Sequence, residues 1–385
     1  MIGRRPTAGL LVDLAIVVLL SGCASSATSS PSPLTSTVQC QAELADLESE
    51  PSASPRALPP EYGLTWSRVP PGQALPASAR VHVPGAIVAG PNSFVARDGG
   101  DLWVSTSGVG WSPVPNFSRY PLGVTSLGRG GLGFLALSGV LSLSDVWTSR
   151  DGQAWCLLSE SLNGGFTDMV TVGATLVAVG ASSSGPSLGQ SAWFSEDARD
   201  WVEVSAGPGG EDWYIDLLVP GEPGVVALGR STSMDSSSRW MAWLTVDGQQ
   251  WSPGLILPDR DLRIEDAISW GSGFIAVGGF YKGSGFGDGA VWRSADGLHW
   301  TREQSDPVLP WLTHVVSGGD GLLAVGDAST PTGSCGQEVW TSADAVNWRR
   351  VATFCGQEVY GLDGNGQHLV AVGLDGDSAA VWVSP

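Results

Sequence analysis

A ten-residue phrase occurs twice in the second half of the chain, as VWRSADGLHW (Val291–Trp300) and VWTSADAVNW (Val339–Trp348). Its core, Trp-x-Ser/Thr-x-Asp-Gly/Ala-x-x-Trp, returns at Trp147–Trp155, Trp193–Trp201 and Trp243–Trp251. A weaker copy at Trp103–Trp111 has Ser107 in place of the aspartate. The last residues, Val381–Ser384, are the first half of the phrase, and the missing half, GLTW, stands at Gly63–Trp66. Counting those halves, opening and closing tryptophans number seven each, and successive closing ones lie 44–50 residues apart. A period of this size dictates architecture. Each unit has room for four short strands, and radial repetition of four-stranded sheets is a β-propeller. A solenoid would need caps, whereas here each end supplies the half that the other lacks. The expected fold is all-β: a seven-bladed β-propeller of four-stranded antiparallel blades over residues 61–385, closed by Gly63–Pro70 pairing beside Val381–Pro385.

Within each unit a first strand such as FTDMVTV (Phe166–Val172) or IEDAISW (Ile264–Trp270) should lie nearest the axis. A small-residue strand follows, as in LVAVG (Leu176–Gly180) and LLAVG (Leu322–Gly326). The Trp-x-Ser strand, an Asp-Gly hairpin and the closing Trp strand complete the blade, Asp-Gly between two such runs being a strong hairpin signal. Asp151, Asp197, Asp247, Asp296 and Asp344 are placed to accept backbone N–H bonds inside their own turns, as is the Ser or Thr two residues earlier. Fourteen of the eighteen tryptophans belong to this scaffold.

The Ser/Thr-x-Asp-Gly-x-x-Trp turn resembles the Asp-box, or BNR repeat, of sialidase-type and photosystem assembly-factor propellers. It has one residue fewer between Asp and Trp than the common form. The resemblance covers all seven units and implies the fold; it does not specify an activity, because sites are grafted onto folds.

Residues 1–22 have a basic start (Arg4, Arg5) and an apolar run from Ala8 to Leu20, the pattern of a secretory signal and too short to span a bilayer. They end at Leu20-Ser21-Gly22-Cys23, which resembles the bacterial lipobox and implies a lipidated Cys23, membrane attachment and an extracytoplasmic location. Residues 23–60 are rich in Ser, Pro, Thr and Ala, a composition that tethers rather than packs. Four further cysteines, Cys40, Cys156, Cys335 and Cys355, would then lie in an oxidising compartment. An even register about Ala345 sets Cys335 opposite Cys355, close enough for a disulfide, which leaves Cys40 and Cys156 as the second pair.

A net charge of −19 with a single lysine, Lys282, repels phosphate backbones and argues against nucleic-acid binding. Gly128-x-Gly130-x-x-Gly133 precedes a strand rather than a helix, so it is a turn and not a dinucleotide fingerprint. Gly185–Gly189 matches G-x-S-x-G but opens no helix. The oxygens of Asp363–Gly366 and Asp375–Asp377 fall short of a calcium loop. No cofactor is expected; calcium is the one metal left open.

A ligand belongs at the upper opening, on the face shared by the loops from strand four to strand one and from strand two to strand three. Tryptophans outside the repeat (Trp213, Trp240, Trp311) map there with Phe117, Tyr120, Phe166, Tyr214, Tyr281 and Phe286. So do Arg119, Arg230, Arg239, Arg260 and Arg263, and inner-strand Asp168, Asp216, Asp266 and His314 recur near the opening. The plain alternative is that these aromatics cap the blade tops and the aspartates bond neighbouring backbone. Two functions follow. One is a monomeric, lipid-anchored module that binds a glycan, peptide or protein partner. The other, implied by the resemblance, is a sialidase-like glycoside hydrolase, which needs an arginine cluster, a Tyr nucleophile paired with an acid, and an Asp acid/base. No Arg-Ile-Pro signature is found, Arg68-Val69-Pro70 being the tail of a box strand, and no Tyr–Glu pair can be placed on Tyr214, Tyr281 or Tyr360 from sequence. The binding module is the expected function.

Overall fold

The computed structural model describes residues 62–75, 87–115, 123–130, 133–140, 143–182, 190–204, 208, 213–231, 239–252, 255–257, 259–282, 285–318, 321–327 and 336–385. The signal-like segment, the tether, Cys23, Cys40, Arg119 and Cys335 lie outside them.

The described residues form seven four-stranded antiparallel sheets. Blade one runs from Ile87 to Pro113, blade two from Val124 to Asn163 and blade three from Gly165 to Val204. Blades four, five and six are Trp213–Ile256, Leu262–Arg302 and Trp311–Phe354. Blade seven takes three strands from Gln357–Ser384 and its fourth from Ser67–Arg68. The closure joins the expected segments, with Ser67 opposite Val383 and Arg68 opposite Trp382. Contacts between neighbouring inner strands run the whole way round the ring. The chain is a seven-bladed β-propeller.

Burial explains why small residues recur in the second strands. Val177, Ala178, Ile275, Ala276, Leu323, Ala324, Val370 and Ala371 are all wholly buried, each strand packing on both faces between two neighbouring blades. The apolar core divides into seven clusters, one at each blade interface. At the junction of blades four and five, for instance, Trp292 and Trp300 pack with Val226, Leu228 and Trp240. Tyr62 belongs to the cluster joining blades six and seven, and Gly63 donates its N–H to Ser384 Oγ at 2.9 Å, so the N-terminal strand is held by packing as well as pairing.

The repeated turns make the expected bonds. In blade five Ser294 Oγ accepts from Gly297 N at 2.8 Å, and Asp296 Oδ1 accepts from Leu298 N and His299 N at 2.9 and 2.8 Å. The same set occurs at Asp151, Asp247 and Asp344, and Asp197 Oδ1 accepts from Arg199 N and Asp200 N. These N–H bonds hold the carboxyls of Asp197, Asp247 and Asp344 below the usual range, foremost through the backbone donor three residues on. The closing tryptophans Trp66, Trp111, Trp155, Trp201, Trp300 and Trp348 each donate Nε1–H to the carbonyl three residues back.

In the repeated hairpins Ser294 pairs with Trp300, leaving a five-residue loop, Ala295 to His299. Local Ser and Asp acceptors satisfy that loop's N–H groups, and Gly297 at φ 78 supplies its left-handed step. One sequence expectation needs correction here: the register around Ala345 is not even. A bulge between Val339 and Trp340 shifts the pairing, so Phe354 faces Gln337. The Cys335–Cys355 and Cys40–Cys156 pairings fall partly outside the described residues.

Candidate functional site

Among the described residues, six of the seven inner strands show a β-bulge near the upper end, at Thr125, Thr167, Asp216, Glu265, Thr313 and Tyr360. A bulge aims two consecutive side chains where a regular strand would aim one. Thr125, Thr167 and Thr313 use their hydroxyls to bond the carbonyls of Leu137, Val179 and Val325, each at 3.2 Å. The residue after the bulge then faces the axis, and in three blades it is Asp168, Asp266 or His314.

Those axial groups tie blades together. Asp168 accepts from Met169 N at 2.8 Å and from Leu218 N of blade four at 3.0 Å. Asp266 repeats this with Ala267 N at 2.8 Å and Val315 N of blade six at 2.9 Å. Asp363 does the same one pleat further down blade seven, through Gly364 N at 2.7 Å and Ala89 N of blade one at 2.8 Å. His314 Nε2 meets Tyr360 O of blade seven at 3.2 Å. Asp216 instead chelates Arg230 Nε at 3.0–3.1 Å, and that guanidinium lies 5.6 Å from the Tyr214 ring centroid.

The surface these aspartates retain faces the channel rather than bulk water. Burial therefore raises their pKa values above the carboxylate norm, to about 6 for Asp168 and Asp363 and about 7 for Asp266, in spite of the N–H bonds. The same desolvation lowers His314 to about 4, leaving it neutral near pH 7. The channel has a volume of about 520 Å³ and is lined by Asp168, Asp216, Glu265, Asp266 and Asp363. Arg97 also lines it, buried, with Nη1 donating to Val124 O at 2.9 Å and Nε unpaired.

A second cavity of about 520 Å³ adjoins the channel and shares Glu265, Thr313 and His314 with it. Its other walls include Phe286, Trp311, Asp327, Gln337, Glu358 and Tyr360. One wall is the hairpin of blade five, Gly273–Lys282 and Gly285–Ser294, whose ten-residue strands are the longest described. It carries Tyr281 and Phe286, 42% and 58% exposed, against Trp311 at centroid distances of 5.1 and 4.6 Å. Trp311 is only 2% exposed and donates Nε1–H to Glu265, whose Oε1 also accepts from Arg263 Nε at 2.9 Å. On the far wall the Tyr360 hydroxyl donates to Glu358.

The structure distributes the residues singled out by sequence among different roles. Asp168, Asp216, Asp266 and His314 do line the channel, with both oxygens of Asp168 and Asp266 taken by backbone. Trp311 is the floor of the adjoining cavity. Trp240 is core, 1% exposed, and Trp213 packs edge-on against Trp243 at 5.7 Å. Arg263 is tied to Glu265, and Arg260 is exposed. Near the calcium candidate, Asn365 Oδ1 accepts from Gln367 N and His368 N, and both Asp363 oxygens accept from backbone. Sequence reasoning missed Glu265, Asp327, Gln337 and Glu358. The signal for Glu265 and Glu358 was their place at the upper ends of inner strands.

No family model matches the chain, and no curated protein matches it in sequence. Solved structures match in fold. A chain of the mitotic checkpoint complex aligns over 87% of this chain and 96% of its own, with a TM-score of 0.53 and 10% identity. The β-propeller domain of the Trilobed protease from Pyrococcus furiosus, described as having an open velcro topology, aligns over 80% and 94%, with a TM-score of 0.50 and 11% identity. A subtype N10 neuraminidase-like protein of A/little yellow-shouldered bat/Guatemala aligns over 81% and 99% at 8% identity, with a TM-score of 0.43. At 10 and 11% identity these likenesses show the fold alone, that of a β-propeller.

Proposed function

We propose that the protein is a non-catalytic binding module whose ligand, a glycan, peptide or protein partner, docks on the upper face over the blade five–seven cavity. The observation that carries this reading is the fate of the axial carboxylates. Asp168, Asp266 and Asp363 each give both oxygens to backbone N–H groups, which leaves them as ring fasteners rather than acid/base groups free to meet a substrate. The adjoining cavity, by contrast, has exposed aromatic walls and a few convergent polar groups, the usual make-up of a ligand site.

One observation favours the hydrolase, namely the Tyr360–Glu358 hydrogen bond. Against it stands the state of the arginines. Arg230 and Arg263 are neutralised by Asp216 and Glu265, and Arg97 is turned to a backbone carbonyl, so among the described residues no cluster is poised for a substrate carboxylate. The test is capture of immobilised glycans and peptides by the detergent-solubilised full chain. Loss of capture in a Phe286→Ala/Glu358→Gln variant is expected; turnover of a fluorogenic α-sialoside that disappears in Tyr360→Phe would move the reading to the hydrolase.

The same proposal places the module outside the cytoplasm, anchored through Cys23, with Cys335–Cys355 and Cys40–Cys156 disulfides. Neither Cys156 nor Cys355 is a free thiol, which supports the pairings. Mass spectrometry of the mature protein is expected to show an acylated N-terminal Cys23 and peptide pairs that separate only on reduction. An unmodified Cys23, or alkylatable thiols in the unreduced protein, would reject the respective assignment.

A further inference from the structure

We propose that the axial channel binds a small zwitterion of the amino-acid kind, with its carboxylate on Arg97. The inference does not depend on the reading of the adjoining cavity. It starts from a buried guanidinium with nothing to neutralise it. Arg97 stands in the second strand of blade one, Phe94–Asp98, lines the channel and is 8% exposed. Only Nη1 is spent, on the carbonyl of Val124 at the start of the inner strand of blade two, at 2.9 Å. Nε is buried with no hydrogen-bond partner among the described residues. Burial alone lowers the pKa of the group, with no carboxylate acting to raise it. A buried charge without a counter-charge, and a buried donor without an acceptor, are both costly, so the missing partner is sought in a ligand. The Nε edge of a guanidinium is a fork that takes both oxygens of a carboxylate.

The walls around Arg97 say what else the ligand carries. On blades one and two the lining is Ile87, Arg97, Thr125, Ser126 and Leu127, without a carboxylate. Ser126 follows the bulge of its strand, the position that Asp168, Asp266 and His314 take in blades three, five and six. A serine there leaves Arg97 without the counter-charge that an aspartate would bring. In a ring of seven, blade five faces blades one and two across the axis, which sets Asp266 on the opposite wall. Asp216 and Glu265 are balanced by Arg230 and Arg263. Asp168, Asp266 and Asp363 accept from backbone N–H groups and have no ion-pair partner among the described residues. The channel thus holds an unpaired cation on one wall and unpaired carboxylates on the others. A simple anion satisfies Arg97 but is repelled by the aspartates, and a simple cation leaves Arg97 as it is. A zwitterion meets both demands, its ammonium offsetting the charge that burial makes costly on the aspartates. A volume of about 520 Å³ admits a free amino acid.

The test is calorimetric titration of the full chain with a panel of the standard amino acids at millimolar concentration. The amide of each, which lacks the carboxylate, and propionate, which lacks the ammonium, serve as comparators. At least one amino acid should bind, with its amide and propionate at least tenfold weaker. Arg97→Met should lower that affinity at least tenfold, and so should Arg97→Lys, which keeps the charge but loses the fork. Without ligand, Arg97→Met should melt no lower than the parent, because it deletes a buried charge that the fold leaves unpaired. No binding by any member of the panel would overturn the proposal, as would an affinity unchanged in both Arg97 variants. A ligand-free Tm of Arg97→Met well below that of the parent would make the guanidinium a strut between blades one and two, and would overturn it as well. Propionate bound as tightly as the amino acid would overturn the zwitterion and leave a plain carboxylate site.

Discussion

Between pH 5 and pH 8 the protein is expected to lose about 2 kcal/mol of stability, the reverse of the trend in proteins whose carboxylates are stabilised by folding. The sign follows from burial. A carboxyl whose folded pKa is raised binds more protons in the folded state than in the unfolded one. Its contribution is therefore complete below the unfolded value near 4 and is lost as pH rises through the folded value. Asp168 and Asp363 titrate at about 6 and Asp266 at about 7 when folded. His314, lowered to about 4, works the other way and regains stability as pH rises to its unfolded value near 6.5. Each fully shifted group contributes up to about 1.4 kcal/mol per pH unit. Channel water screens the carboxylates, and the opposing histidine reduces the sum further. The box aspartates Asp197, Asp247, Asp296 and Asp344, held low, lose stability only as pH falls below about 4 and leave this window clear. Asp266→Asn should be less stable than the parent at pH 5 by about 1–3 kcal/mol, because one of two N–H groups loses its acceptor. That deficit should shrink towards pH 8, since the variant has no charge to bury. Urea unfolding at the two pH values checks both statements; a parent that gains stability with pH, or a variant with the parental slope, would refute the account of the channel.

Replacing Tyr62 by alanine is expected to cost about 3–5 kcal/mol, the range for removing a large buried aromatic. Tyr62 is 1% exposed in the cluster between blades six and seven. Its hydroxyl donates to His368 O at 3.1 Å and accepts from Gly366 N at 3.0 Å, which pins the segment that delivers Ser67–Arg68 to Trp382–Val383. Tyr62→Phe keeps the ring and loses only the two bonds, so about 1–2 kcal/mol is expected. If closure depends on this anchor, hydrogen exchange in the alanine variant should rise first along Ser378–Ser384, the strand that Ser67–Arg68 covers. Uniform exchange across all blades would instead mean that Tyr62 adds packing without governing closure.

The repeat made the architecture legible because one constraint, a tryptophan at each end of a turn, is written seven times. Blade number, strand order and the two segments that close the ring all follow from it. The turn's Ser and Asp were also readable, since their acceptors lie within three residues and need no tertiary context. What the sequence hid depends on side chains meeting across blades. Asp168, Asp266 and His314 stood out by position, yet nothing local says that Asp168 spends its second oxygen on Leu218, fifty residues away. Asp363 has the same role one pleat lower and so escaped the positional pattern. Trp311 looked like a surface platform because it follows a loop, but the extended hairpin of blade five covers it. Glu358 and Tyr360 are two residues apart in one strand, and their significance lies in the cavity they share with Glu265 and Asp327. The one-residue bulge at Val339 also lay beyond a register counted evenly from the turn.

The central claim is that the upper face over the blade five–seven cavity is where this propeller meets its ligand, without chemistry. The most direct measurement is capture of a mixed glycan and peptide array by the full chain beside its Phe286→Ala/Glu358→Gln variant, with aryl glycoside turnover followed on the same samples. The account predicts specific capture by the parent, its loss in the variant at unchanged stability, and no turnover by either. Capture that survives the two substitutions, or turnover that vanishes in Tyr360→Phe, would contradict it.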